Sequence, residues 1–201
     1  MSWTPLLNNE PFAVTTDDLP TLIHGEEHSG ASLFTMTLLS QLYRQGHPLI
    51  FLTGKAEAKE EFIAQTNCGD ELTEIDASNN YEAAETKQII YIAKEYAAQL
   101  PQLLAALPDK NERIILIKNI ELFDEATLAV LFEHPLVMYS GDLNTCTSKE
   151  LLLQLKYGSK IFFSPLNNDF RLTLPPLERY HGYFLGRISQ GTITLVQGES
   201  S

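Results

Sequence analysis

The sequence predicts an α/β protein of three layers, a mostly parallel β-sheet with helices on both faces and an antiparallel hairpin at the C-terminal end. Three observations carry this. The apolar runs at residues 49–52, 114–117, 136–139 and 161–163 have the length and continuity of strands buried on both sides. Segments with apolar residues at helical spacing alternate with them, the pattern of parallel strands joined by crossover helices. The last third, interrupted by Pro165, Pro175 and Pro176, closes on two short runs, 183–185 and 192–196, that flank residues 187–191 as a hairpin.

Each element follows in order. Residues 21–24 form a short strand that runs into a glycine-bounded loop. Leu33, Met36, Leu38, Leu39, Leu42 and Tyr43 then keep helical spacing until Gly46 ends the helix. His47 and Pro48 lead into the strand at 49–52, which Thr53 and Gly54 close. Residues 56–66 read as a helix and 71–76 as a strand with thin apolar content. Residues 81–107 carry Ile89, Ala93, Tyr96, Ala97, Leu100, Leu103, Leu104 and Leu107 as one helical stripe, which Pro101 kinks or splits. The run 114–117 is the strongest strand. A helix over 124–133 has Asp124 as its cap. Residues 136–139 are a strand ending at Ser140-Gly141-Asp142, 147–156 a helix and 161–163 a strand. The expected organisation is an N-terminal extension at 1–19, a core at 20–165 and a hairpin extension of the same domain at 166–201.

With 201 residues, 44% of them hydrophobic, the chain has enough apolar surface for one well-formed core. No apolar run approaches the roughly 18 residues that span a bilayer, and the first residues lack the basic start and apolar stretch of a signal peptide. No membrane partner is expected, and the expected location is the cytoplasm. Cys68 and Cys146 are too few for a disulfide framework or a zinc site. His24, His28, His47, His134 and His181 show no metal-ligand spacing, so no metal site is expected. The net charge of −12 is uneven: residues 1–148 balance at −14 and residues 149–201 at +2. An acidic body repels phosphate backbones, which disfavours nucleic-acid binding by the isolated domain.

The most specific motif is Gly25-Glu26-Glu27-His28-Ser29-Gly30-Ala31-Ser32. It satisfies the phosphate-loop pattern G-x-x-x-x-G-K-[ST] at both glycines and at the final serine, but Ala31 stands where the lysine belongs. The glycines let the backbone curl around phosphate, and the lysine neutralises its charge. Here the curl is encoded and the charge is not.

This strand, loop and helix, followed by a second strand introduced by Gly46 and Pro48, resembles the opening of RecA-like P-loop ATPases, including the KaiC-type and the conjugation and translocation ATPases. The resemblance implies a RecA-like fold over roughly residues 20–197, nucleotide binding at the loop, and a buried strand ending in an aspartate that holds magnesium through water. The matching segment begins at Ile114, and Lys118 occupies the aspartate position. The resemblance also places a phosphate-sensing polar residue near Ser140 and, in some members, a water-activating glutamate near Glu121.

Both decisive positions depart from the pattern. Losing the loop lysine removes a charge-assisted contact typically worth about 1.5–3 kcal/mol, and a lysine beside the metal position opposes the ion on which phosphoryl transfer relies. The expected function is therefore a catalytically inactive, ATPase-derived scaffold without a cofactor. It would assemble with itself or with related P-loop subunits, with Arg171, Arg179 and Arg187 as interface residues. In such a site Lys118 would pair with Glu26, Glu27 or Asp142. Two alternatives stay open: a nucleotide sensor that binds ATP or another nucleotide without magnesium, through Lys118 or less directly Lys55, and an ATPase or kinase with relocated catalytic groups.

Overall fold

A computed structural model of the chain describes residues 3–13, 15–77, 81–147, 158–167, 174–186 and 190–197. The strands are β1 (Trp3–Leu7), β2 (Glu10–Pro11), β3 (Thr21–His24), β4 (Leu49–Thr53), β5 (Leu72–Ile75), β6 (Ile89–Ala93), β7 (Ile114–Lys118), β8 (Val137–Gly141), β9 (Ser159–Phe162), β10 (His181–Leu185) and β11 (Gln190–Gln197). The helices are α1 (Ala31–Arg44), α2 (Glu57–Thr66), α3 (Tyr81–Glu85), α4 (Leu100–Ala106) and α5 (Glu125–Phe132). All the strands join one 11-stranded sheet in the order β2-β1-β11-β10-β9-β3-β8-β7-β4-β6-β5. From β9 to β5 every pairing is parallel. The terminal strands β10, β11, β1 and β2 continue it antiparallel. The mostly parallel α/β sheet with a C-terminal hairpin is therefore observed.

Alternation along the strands divides the core between two faces. Leu49 and Phe51 of β4, with Ile114 and Leu116 of β7, pack beneath α1 and α2 against Phe34, Leu38, Leu39 and Phe62. Ile50 and Leu52, with Ile115 and Ile117, face the other way, onto Leu100, Leu103, Leu128 and Leu131 of α4 and α5. Strands buried on both sides show the continuous apolar runs seen in the sequence, because each successive side chain enters one core or the other.

One sequence expectation is corrected. Residues 81–107 are not one helix: α3, β6 and α4 share that stretch, with a 3-10 turn at Lys94–Gln99 between the last two. Ile89 and Ala93 are spaced as on a helix face, but Ile89-Ile90-Tyr91-Ile92 is an apolar run buried on both sides, pairing with β4 and β5. Pro101 sits in the first turn of α4, where its missing N–H costs nothing, so it marks a helix start and not a kink. At the N-terminus β1 pairs over five residues with β11 and carries the sheet past the hairpin. The other expected elements form close to their predicted limits, and Asp124 caps α5 by accepting from the Thr127 N–H at 2.8 Å. The helix expected over 147–156 lies almost wholly outside the described residues, as does the turn at 187–189.

Candidate functional site

The loop after β3 opens a cavity of about 560 Å³ at the C-terminal ends of the central parallel strands. In open α/β sheets that is where ligands bind. The cavity is bounded by the loop and the start of α1, by the ends of β7 and β8, by Lys55 and Glu61 from the β4–α2 segment, and by Arg179 and Tyr180 before β10.

The loop backbone takes the shape that its glycines predict. His28 (φ 65°) and Gly30 (φ 105°) are both left-handed, and Gly30 leads directly into α1. A Cβ at Gly30 would press on the ring and backbone of Tyr180, whose N–H donates to the Ser29 carbonyl at 3.0 Å. The segment before the hairpin is thereby clasped to the loop. Tyr180 is itself left-handed (φ 64°) and its ring lies tilted against Trp3 of β1, centroids 5.4 Å apart.

Several loop donors already have acceptors inside the protein. The Gly25 N–H donates to the Gly141 carbonyl at 3.2 Å, the Glu26 N–H to Ser164 Oγ at 2.9 Å and the Ala31 N–H to Ser29 Oγ at 3.3 Å. Ser29 Oγ thus takes the first N–H of α1 and lies against Gly25. Glu26, Glu27, His28 and Ser32 are exposed at the rim. His24, fully buried below the loop, accepts from the Leu143 N–H through Nδ1 at 3.1 Å and has Nε2 3.4 Å from the Pro165 carbonyl. Burial pushes its pKa below the ordinary histidine value, so the ring is held neutral as a strut between the β8 and β9 loops.

Lys118 is the feature that sets this site apart. It follows Ile114 and Leu116 in alternation, so it faces α1 and α2, and it pairs in register with Thr53 on β4 and Ser140 on β8. It is 7% exposed, and its remaining exposure is to the cavity. The pairing expected with Glu26, Glu27 or Asp142 does not form: Lys118 takes part in none of the ion pairs among the described residues. The expected acids are engaged elsewhere. Glu26 accepts from Asn144 Nδ2 at 3.2 Å, and the Asp142 carboxylate accepts from the Asn144 N–H at 2.9 Å and from Thr145 Oγ1 at 3.2 Å. Burial lowers the Lys118 pKa, with Glu61 the largest opposing influence.

The remaining candidates fall into place around it. Ser140 Oγ lies 2.7 Å from Thr35 Oγ1, which also donates to the Ala31 carbonyl, so this hydroxyl is tied to α1. Glu121 lines the cavity but accepts from the Asp142 N–H at 3.0 Å and faces Asn119 Nδ2 at 3.5 Å, bridging the ends of β7 and β8. Lys55 is exposed at the rim, as is Arg179, whose guanidinium lies 4.7 Å above the Tyr180 ring. Arg171 and Arg187 lie outside the described residues. Cys68 and Cys146 are both buried.

A hard dication needs oxygen ligands; carboxylates line the cavity, but the strand-end position where the resemblance implies a magnesium-holding aspartate carries the Lys118 ammonium, which is no metal ligand. Sequence reading missed Ser164, Asn144 and Glu61. Each reaches the loop region from a remote part of the chain, and no local pattern marks it.

No protein-family model and no curated protein sequence matches the chain. Its shape does match solved structures. The genome packaging NTPase B204 from Sulfolobus turreted icosahedral virus 2, in complex with sulfate, aligns with a TM-score of 0.60 at 14% identity, over 90% of this chain and 97% of that one. The same NTPase in complex with AMPPCP aligns at 0.56 and 12% identity, over 92% and 99%. EssC (ATPases 2 and 3) from Geobacillus thermodenitrificans aligns at 0.56 and 16% identity, over 96% of this chain and 41% of that one. Among the described residues no helix is long and apolar enough to cross a membrane. The sheet, the glycine loop at its C-terminal edge and these neighbours together make the fold of this chain that of P-loop NTPases.

Proposed function

We propose that this chain is an ATPase-derived subunit that does not hydrolyse nucleotide and works by assembling with copies of itself or with related P-loop subunits. The observation that carries the proposal is Lys118, whose ammonium faces the cavity from the strand end where the hydrolysing members of the fold hold magnesium. Phosphoryl transfer relies on positioning and on metal-borne charge stabilisation. Ala31 withdraws one of these supports and Lys118 opposes the other. The engagement of Glu121 and of the Ala31 N–H within the protein agrees with a loop kept for its architecture. The fold likeness to a genome packaging NTPase and to the EssC ATPases supports an ATPase-derived subunit.

A second reading, binding without hydrolysis, is favoured by one observation: Lys118 lacks the carboxylate partner that a filled-in site requires. Hydrolysis separates both readings from a working ATPase or kinase with relocated groups. Purified protein with ATP or GTP and magnesium should release no phosphate above buffer, and Ala31→Lys alone should not start turnover. Sustained magnesium-dependent release by the wild-type chain, lost on Ser32→Ala, would refute the proposal.

A further inference from the structure

The cavity holds a cation with nothing to neutralise. Lys118 is more than nine-tenths buried, opens only onto the cavity, and has no ion pair among the described residues. An ammonium is removed from water at high cost unless an anion or a set of acceptors compensates it. The N-terminus of α1, a helix of 14 residues entered through the left-handed Gly30, borders the same cavity with Ala31, Ser32 and Leu33. We infer that a single phosphate group, free or as a monoester, binds without magnesium between the start of α1 and Lys118, the ammonium standing where hydrolysing members of the fold place the metal.

Charge limits the ligand to one phosphate. Five carboxylates (Glu26, Glu27, Glu61, Glu121 and Asp142) and three cations (Lys55, Lys118 and Arg179) line the cavity, which leaves it formally negative. Four of the carboxylates are held by donors of their own, Glu61 by Gln65 Nε2 at 3.3 Å and the others as described above. That arrangement leaves Lys118 free for a compact anion. A metal-free triphosphate would bring three or four negative charges into the same space, and their repulsion by the carboxylates grows with each one. Magnesium would not relieve this, because Lys118 occupies its position.

The inference rests on the non-hydrolytic reading of the cavity, and calorimetry separates the two. Inorganic phosphate, AMP and ATP are titrated into the full chain, each with EDTA and with magnesium. The expected result is binding of phosphate or AMP in EDTA, tighter than ATP and unimproved by magnesium; which of the two binds more tightly tells a free anion from a monoester. Lys118→Met should weaken that binding about tenfold or more, the loss typical of a charged hydrogen bond. Lys118→Arg should keep most of it, and the melting temperature of Lys118→Met should be no lower than that of the wild type. Three results would overturn the inference: no binding of phosphate or AMP at millimolar concentration, tighter binding of ATP with magnesium, or unchanged binding by a folded Lys118→Met chain. The magnesium comparison needs only wild-type protein, so it decides even where a variant fails to fold. Absent binding leaves the assembly reading standing, and turnover with magnesium defeats that reading first.

Discussion

Lys118 and Ala31 exchange the usual positions of charge in this loop. A cation is absent from the helix start and present at the strand end, two strand spacings or about 10 Å across the sheet. Its energetic consequence can be measured without any ligand. Burial lowers the Lys118 pKa in the folded chain below its ordinary value, so folding favours the neutral amine. The stability linked to that preference is present above the unfolded-state pKa, about 10.4, and is lost as pH falls through the folded value. At neutral pH the charged, desolvated form is therefore a net cost. Lys118→Met is expected to unfold at a higher urea concentration than the wild type at pH 7, and the difference should shrink as pH approaches about 10. Tyr91 and Tyr139, whose pKa values burial raises, are common to both proteins and cancel in the comparison. A Lys118→Met chain less stable than the wild type at pH 7 would mean that the ammonium has an internal partner after all.

At the scale of elements, the strands of the parallel sheet were legible because each is an apolar run with turn residues at its ends. The loop was legible because its glycines have fixed spacing. β6 was not, since Ile89 and Ala93 happen to match the stripe that α4 continues, and a four-residue apolar run does not declare its period. β1 was not, because only pairing with the distant β11 makes Trp3–Leu7 a strand. The same limit applies to the site. Gly25, Gly30, Ala31 and Lys118 stand at positions that the motif defines, whereas Ser164 and Asn144 are defined only by the fold. What holds the loop helix in place is likewise non-local. Phe34 of α1 stacks on Phe12 at 6.1 Å and meets Phe163 in a tilted contact at 5.1 Å, joining the N-terminal segment, the loop helix and the end of β9. Phe34 is fully buried, so Phe34→Ala should destabilise the chain by about 3–5 kcal/mol, the range for truncating a core phenylalanine. A loss under about 1 kcal/mol in chemical denaturation would show that α1 is not anchored through this ring.

The assembly proposed for this chain would use its faces and not its sheet edges. The two outer strands are poor templates for edge pairing: β2 is two residues long and contains Pro11, and β5 carries an exposed Glu74 engaged by Lys59. Charge then sets which faces meet. The first 148 residues balance at −14 and the remainder at +2, so the basic third of one copy is complementary to the acidic body of another. A contact between unlike faces repeats head to tail and generates a ring or a filament. Arg179 is exposed at the rim of the loop cavity, where a neighbouring acidic surface would both pair with it and cover the site. Exposed charges of this kind are screened over about 8 Å at physiological ionic strength. The purified chain is therefore expected to show a light-scattering mass above that of a monomer at low salt. The mass should fall as salt rises, and reversing Arg171, Arg179 and Arg187 to glutamate should lower it at any salt. A monomeric mass at high protein concentration and low salt, together with no recovery of a P-loop partner from the native source, would remove assembly as the function of this fold.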